Sequence, residues 1–205
     1  MIFKDRADAG KRLANDILKD KALLAVKEKR IVLSLVRGGA VVGHEIAEKL
    51  KIPHYPLIVK KIGAPHNEEL AIGAICNGLA YLDADLINRL SLRESDINKQ
   101  TKLAKQKQRQ YQRRFKTGPR TLKGKIVFLV DDGVATGSSV KTALLCLKKN
   151  HVKKIILAVP VAPSDFDTSS FYKVFVLHKE LVFNAVSQFY EEFPQITDNE
   201  IMRYF

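Results

Sequence analysis

Five apolar residues, Ile126–Val130, run without interruption into Asp131-Asp132 and then into a turn bracketed by Gly133 and Gly137. Few folds can use such a segment. A strand that is apolar at every position is buried on both faces, as in a parallel sheet covered by helices. Carboxylates at its C-terminal end fall where open α/β sheets hold their ligands. The two glycines reach backbone angles closed to other residues, so the turn can aim successive N–H groups inward as an anion nest. Thr136, Ser138 and Ser139 add hydroxyls, and the helix expected over Ser138–Lys149 presents its N-terminus to negative charge. A phosphate monoester suits that bowl. Two carboxylates beside it would repel the same ligand unless their duties differ, and a sugar phosphate resolves the conflict. Its phosphate takes the nest while its hydroxyls donate to Asp131 and Asp132. No Gly-Lys-Ser/Thr follows at the spacing a P-loop needs.

The remainder of the chain alternates strand and helix. The spacing of Ala9, Leu13, Ile17 and Leu18 predicts an amphipathic helix over Asp5–Asp20, capped by Asp5 or Asp8. Ile31–Val36 reads as a buried strand that runs into Arg37-Gly38-Gly39 and a second helix over Ala40–Leu50. Pro53 and Pro56 are expected to break the chain before a strand at Leu57–Val59, continuing into Lys60 and Lys61. Gly63–Leu70 reads as a polar, turn-rich loop, and Ala71–Cys76, Lys154–Val159 and Lys173–Leu177 as short strands. The sum is one α/β domain over residues 1–205 with a mostly parallel sheet flanked by helices.

Residues 127–139 resemble the ribose-phosphate signature of the type I phosphoribosyltransferases: four hydrophobic residues, two acids, then a small-residue loop ending Thr-Gly. The resemblance implies that fold, with a small hood over the sheet. It also implies that the donor is 5-phosphoribosyl-1-pyrophosphate (PRPP), with Mg²⁺ as cofactor. Asp131 and Asp132 would hold the ribose hydroxyls and are also the Mg²⁺ residues, either directly or only through ligand hydroxyls or water. Gly133 and Ala135–Ser139 would cradle the 5′-phosphate. Arg37-Gly38-Gly39 looks like the family's pyrophosphate loop, in which the amides of Gly38 and Gly39 and the Arg37 guanidinium meet the leaving group; that loop often contains a cis peptide. Lys60-Lys61 with Ile62–Ala71 looks like its mobile catalytic loop, with His66 and Glu68 or Glu69 as proton-transfer candidates. The hood would include 181–205, where Phe183, Phe189, Tyr190 and Phe193 either stack on a planar acceptor or pack the end of the domain. In the 6-oxopurine enzymes an Asp precedes the Thr-Gly; here it is Ala135, as in adenine- and orotate-type loops, which counts against a hypoxanthine or guanine acceptor.

Composition matters at two points. The chain carries 35 Lys and Arg against 22 Asp and Glu, a net +13, and eleven of the cations fall between Lys99 and Lys125 with no acid among them. The basicity therefore belongs to one segment. That segment overlaps a helix expected over about 93–116 and ended by Gly118-Pro119, an insertion relative to the better-known relatives. Its apolar stripe is thin (Ile97, Ala104, Tyr111, Phe115), which places it on the surface or against a neighbour. A solvated or protein-docking face is favoured over a nucleic-acid footprint, and a homodimer is expected. The second point is cysteine: Cys76 and Cys146 form no CxxC or Cys/His ligand spacing, so reduced thiols in a cytoplasmic protein are expected. Residues 1–10 carry no apolar signal core, and no run is long enough to span a membrane. The function expected is transfer of ribose-5-phosphate from PRPP to a small nucleobase-like acceptor. The rival is a PRPP-sensing regulator that grips nucleic acid through the basic helix.

Overall fold

The computed structural model describes residues 2–76, 79–113 and 121–205. The chain opens with α1 (Arg6–Leu18), whose N-cap Asp5 accepts from the Asp8 N–H at 2.7 Å, and a single-turn α2 (Lys21–Leu24). There follow β1 (Arg30–Leu35), α3 (Gly39–Leu50), β2 (His54–Leu57), β3 (Val59–Ala64), β4 (Asn67–Cys76) and β5 (Leu79–Leu82). Two helices come next, α4 (Ala84–Arg89) and α5 (Glu94–Gln112), then β6 (Ile126–Val130), α6 (Ser138–Lys149), β7 (Lys154–Pro163) and β8 (Lys173–Glu180). A 3₁₀ turn at Val186–Phe189 and the single-turn α7 (Asp198–Ile201) lie in the C-terminal segment.

Five strands form one parallel sheet in the order β2-β1-β6-β7-β8. Successive side chains on a strand point to opposite faces, so the apolar runs of β1 and β6 feed two cores at once. Leu33, Val127 and Leu129 pack with Val140, Leu144 and Leu147 of α6. Val32, Phe128 and Val130 pack on the other face with Leu13 and Ile17 of α1 and Ile46 of α3. From β1 the chain winds outward to β2, whereas from β6 it winds the opposite way to β7 and β8. The C-terminal ends of β1 and β6 are therefore the topological switch point, where such sheets open a crevice.

Two expectations are corrected at this stage. Pro56 does not break the chain; it lies inside β2, paired with Ser34. Proline lacks the donor a central strand needs, and β2 tolerates it as an edge strand. Nor is residues 63–70 a loop. β3 and β4 form an antiparallel hairpin, turning at Pro65–His66, and β5 completes a second, three-stranded sheet. The register shifts near Gly63 accommodate the bend. α5 lays Ile97 and Ala104 on this small sheet against Ile62, Ile72 and Ile75, so its thin stripe finds its neighbour within the chain. Inside that contact the buried Gln108 donates to the Ile58 carbonyl at 3.0 Å. The Tyr111 side chain, Phe115 and the expected terminator Gly118-Pro119 lie outside the described residues. No helix among the described residues is long and apolar enough to cross a membrane.

The cysteines are a third correction. Cys76 at the end of β4 and Cys146 on α6 are joined as a disulfide, with Cα atoms 6.0 Å apart. Seventy residues separate them in sequence, but the small sheet packs on α6 and brings them together.

One buried histidine sets a pH dependence. The Nδ1–H of His54 donates to the Tyr204 carbonyl at 2.9 Å, because a carbonyl can only accept; Nε2 then accepts from the Ser34 hydroxyl at 2.7 Å. Burial lowers the His54 pKa to about 4, and the neighbouring His44 adds to the effect against the pull of the Tyr204 carbonyl. The unfolded chain takes up this proton near the ordinary value of about 6.5, the folded chain only near 4. Stability is thus expected to fall as pH drops from about 6.5 to 4, by about 3 kcal/mol in all. Urea midpoints measured at pH 7 and 4.5 for the parent and His54→Gln check this, since the variant should lose most of that slope.

Candidate active site

At the switch point the ends of β1 and β6 deliver two loops side by side. Arg37 follows β1 across a cis Val36–Arg37 peptide, and Gly38 and Gly39 lead into α3. Gly39 is buried against β6: a Cβ on it would lie 2.7 Å from the Val130 carbonyl oxygen and 2.9 Å from the Asp131 Cα. A Cβ on Gly38 would overlap the Asp132 carboxylate. Side-chain-free residues at both positions are what allow the two loops to meet.

From β6 the chain passes through Asp131 and Asp132 into the Gly133–Gly137 turn. Gly137 takes a left-handed conformation (φ +73°) just before α6, whose Ser138 N–H donates to the Thr136 hydroxyl at 3.4 Å. Its first-turn N–H groups therefore point at the turn, along with the hydroxyls of Thr136, Ser138 and Ser139. Together these residues, with Asp131, Ala135 and Val140, line a bowl of about 160 Å³. Val186 closes one wall, a contribution the sequence reading missed.

The two carboxylates have different surroundings. Asp132 Oδ2 accepts from Arg6 Nε at 2.7 Å, and its main-chain carbonyl accepts from the Tyr190 hydroxyl at 2.6 Å. Among the described residues Asp131 makes no such ion pair. Loss of water and the adjacent Asp132 charge push its pKa well above the ordinary carboxylate range, with Arg6 only a minor opposing influence. Asp131 Oδ1 does accept from the Asp132 N–H at 3.0 Å. Burial, with Asp132 next, also pushes the Tyr190 hydroxyl strongly up, so it stays protonated as the donor to Asp132.

These acids also bear on the Mg²⁺ expected for the donor. A carboxylate pair of which only one member, among the described residues, makes an ion pair is a fitting oxygen donor set for a hard cation. Among the described residues no group of three or more His, Cys, Asp or Glu could hold a metal by itself. The protein would thus hold Mg²⁺ through Asp131 and Asp132 together with oxygens brought by the ligand.

A second hollow, of about 410 Å³, lies between the β1 loop and β3 and is lined by Arg37, Lys60 and Asp198 among others. Lys60 and Lys61 sit on opposite faces of β3, and only Lys60 reaches this hollow. Both lysines line a different one between the hairpin and α5, beside Glu68 and Lys107. His66 is exposed at the hairpin turn, outside both cationic hollows, and the Glu69 side chain is outside the described residues. A third concavity of about 320 Å³ opens beside Arg6, with Val41, Gln195, Ile196 and Tyr204 in its walls.

The hood aromatics are committed to packing. Phe189 and Tyr190 are 4% and 2% exposed, in a cluster with Phe3 and Val161; Phe183 leans on Phe189. Phe193 lies under the Arg6 guanidinium, 3.6 Å from its carbon to the ring centroid. Arg6 is the functional-site residue the sequence reading overlooked; one arginine in the first turn of an amphipathic helix gives no signal by spacing.

Comparison with known proteins agrees with this geometry. A family model described as a phosphoribosyl transferase domain matches residues 2–193. In Mycobacterium tuberculosis, strains CDC 1551 and H37Rv each carry a relative provisionally named a phosphoribosyl transferase, 35% identical over 214 residues. The match covers 99% of this chain and 46% of the relative, so the chain spans about half the length of the curated relatives it matches. Among solved structures, TT1426 from Thermus thermophilus superposes with a TM-score of 0.86 at 31% identity, over 100% of this chain and 97% of that one.

Proposed function

Since the chain belongs to the phosphoribosyl transferase domain family, we propose that it transfers ribose-5-phosphate from PRPP to a ring nitrogen of a small heterocycle and releases pyrophosphate. The observation that carries this reading is the bowl at the N-terminus of α6, lined by Asp131 and the hydroxyl-bearing turn and set beside the Arg37-Gly38-Gly39 loop. The α6 bowl fits the 5′-phosphate, the Arg37–Lys60 hollow fits the pyrophosphate, and the concavity beside Arg6 has room for an acceptor of modest size.

In this reading Asp131 and Asp132 accept hydrogen bonds from the ribose hydroxyls and set the sugar between its phosphate and its leaving group. The acceptor nitrogen bonds to C1 of the ribose as the C1–oxygen bond to pyrophosphate breaks, and the acceptor gives up a proton. Negative charge builds on the departing pyrophosphate, where Arg37 and Lys60 stabilise it. Mg²⁺ bound with the donor supplies further neutralisation of the phosphate oxygens. The β3–β4 hairpin, bearing Lys60 at its base, shields the sugar from water when its tip lies over the cleft. Ala135 in place of an acid leaves no carboxylate at that position to assist a 6-oxopurine.

A Mg²⁺-dependent thermal-shift and pyrophosphate-release assay with PRPP and a panel of bases tests this. Stabilisation by the donor follows mass action, about 2.7 kcal/mol at a hundredfold excess over Kd. Pyrophosphate release with one base establishes the enzyme and its acceptor. Donor binding without turnover favours the sensor reading, and the absence of any donor binding overturns the proposal.

A further inference from the structure

We infer that Arg6 is a positioning residue for the donor site, setting the orientation of the Asp132 carboxylate. The inference rests on the proposed donor chemistry and adds a residue outside both donor loops.

The guanidinium is fixed on three sides. Nε donates to Asp132 Oδ2 at 2.7 Å, Nη1 donates to the Pro194 carbonyl at 2.8 Å, and the Phe193 ring lies flat beneath it at 3.6 Å. The Arg6 and Asp132 side chains are 9% and 15% exposed. Planar, delocalised and always charged, a guanidinium held in this way fixes direction as well as charge, which a lysine ammonium cannot do. The carboxylate it holds is squeezed from the other side by Gly38, where no side chain would fit. The Asp132 carboxylate is thus held between Arg6 and the Gly38 backbone. Oδ2 accepts from Arg6, and the adjacent Asp131 carboxyl also meets the Asp132 side chain.

Stability alone does not account for the pair. Removing two charges from water costs several kcal/mol per ion, and apolar replacements of buried ion pairs are often neutral or stabilising. What the pair does supply is division of labour. A single cation placed on one of two adjacent acids makes them inequivalent, fixing Asp132 in orientation and leaving Asp131, among the described residues, without an ion pair of its own. Two sugar hydroxyls then meet two different acceptors in defined places, and small misplacements at such centres are costly to rate.

The test is a double-mutant cycle on the full chain, read out as PRPP–Mg²⁺ affinity and, where turnover is present, donor KM and kcat. Arg6→Gln and Asp132→Asn are combined, and Arg6→Lys gauges conservative rescue. Leu23→Ala serves as a comparison for stability, because it loosens a buried contact of α2 without touching the ion pair or either loop of the site. We expect Arg6→Gln to weaken donor binding about tenfold or more. The double variant should bind no worse than Asp132→Asn alone, since contacting residues couple non-additively. Arg6→Lys should restore only part of the affinity, and Leu23→Ala should lower Tm with donor affinity unchanged. Additive losses in the cycle, or equal losses in Arg6→Gln and Leu23→Ala, overturn the inference and leave the donor site intact. A parent protein that binds no donor overturns the functional reading itself, and the role of Arg6 with it.

Discussion

Asp131→Asn is expected to abolish donor binding while leaving the metal-free protein as stable as its parent at neutral pH, or more stable. The two effects have one cause. Asp131 sits where desolvation and the Asp132 charge both disfavour ionisation, so its pKa in the folded state is raised. A carboxyl with a raised folded pKa releases its proton more readily on unfolding, which destabilises the fold above the ordinary pKa of 3.8. Asparagine removes that cost and keeps the shape. It also removes an acceptor for the ribose and part of the cation site, so kcat/KM should fall by about 10²-fold or more. Asp132→Asn should behave differently. It leaves the buried Arg6 guanidinium without its counter-ion, a loss of about 3–5 kcal/mol. Donor-induced thermal shifts with melting temperatures separate the two. Equal destabilisation by both substitutions would show that Asp131 is not strained by its charge.

Gly39→Ala should cost both stability and activity. A methyl group there meets the Val130 carbonyl and the Asp131 Cα, main-chain atoms of a buried strand that cannot rotate away. Overpacking of this kind costs about 1–3 kcal/mol. The displaced backbone carries Asp131 with it, and a shift of the order of 1 Å in a substrate-positioning group is worth about 10²-fold in rate. Gly124→Ala is a useful contrast. It has nothing within 4 Å of a new Cβ but stands at φ +72°, so it should lose about 1–2 kcal/mol through backbone strain alone and keep full donor affinity. Denaturant midpoints and donor titrations on the two variants distinguish local strain from damage to the site.

The parts of the fold legible in the sequence are those set by local pattern. β6 reads as a buried strand because all five of its residues are apolar, and α6 begins where the glycine turn ends. Both donor loops were visible for the same reason: each is a glycine turn following an apolar strand. What escaped was decided by distant partners. Pro56 reads as a breaker until the strand that carries it is known to lie at a sheet edge. β4 begins with the polar residues Asn67-Glu68-Glu69, which read as a loop until β3 supplies the pairing. β5 and α4 are four and six residues long, too short for periodicity to register. Cys76 and Cys146, like Arg6 and Asp132, are pairs far apart in the chain, and no spacing rule joins them.

The two ends of the chain also meet at the donor site, and this sets when the site can exist during synthesis. The Ile2 and Phe3 N–H groups donate to the Phe189 carbonyl, Phe3 bridges Tyr190, and Arg6 reaches Pro194 across 188 residues. A ribosome adding about 5–20 residues per second makes Pro194 some 10–40 s after Arg6. Throughout that interval the phosphate bowl lacks its Val186 wall and the arginine clasp lacks one partner. A donor bound there would therefore find no complete site on the nascent chain until the C-terminal segment has been made and docked. A fragment ending before Val186 should keep the parallel sheet's hydrophobic pattern and yet form no complete site.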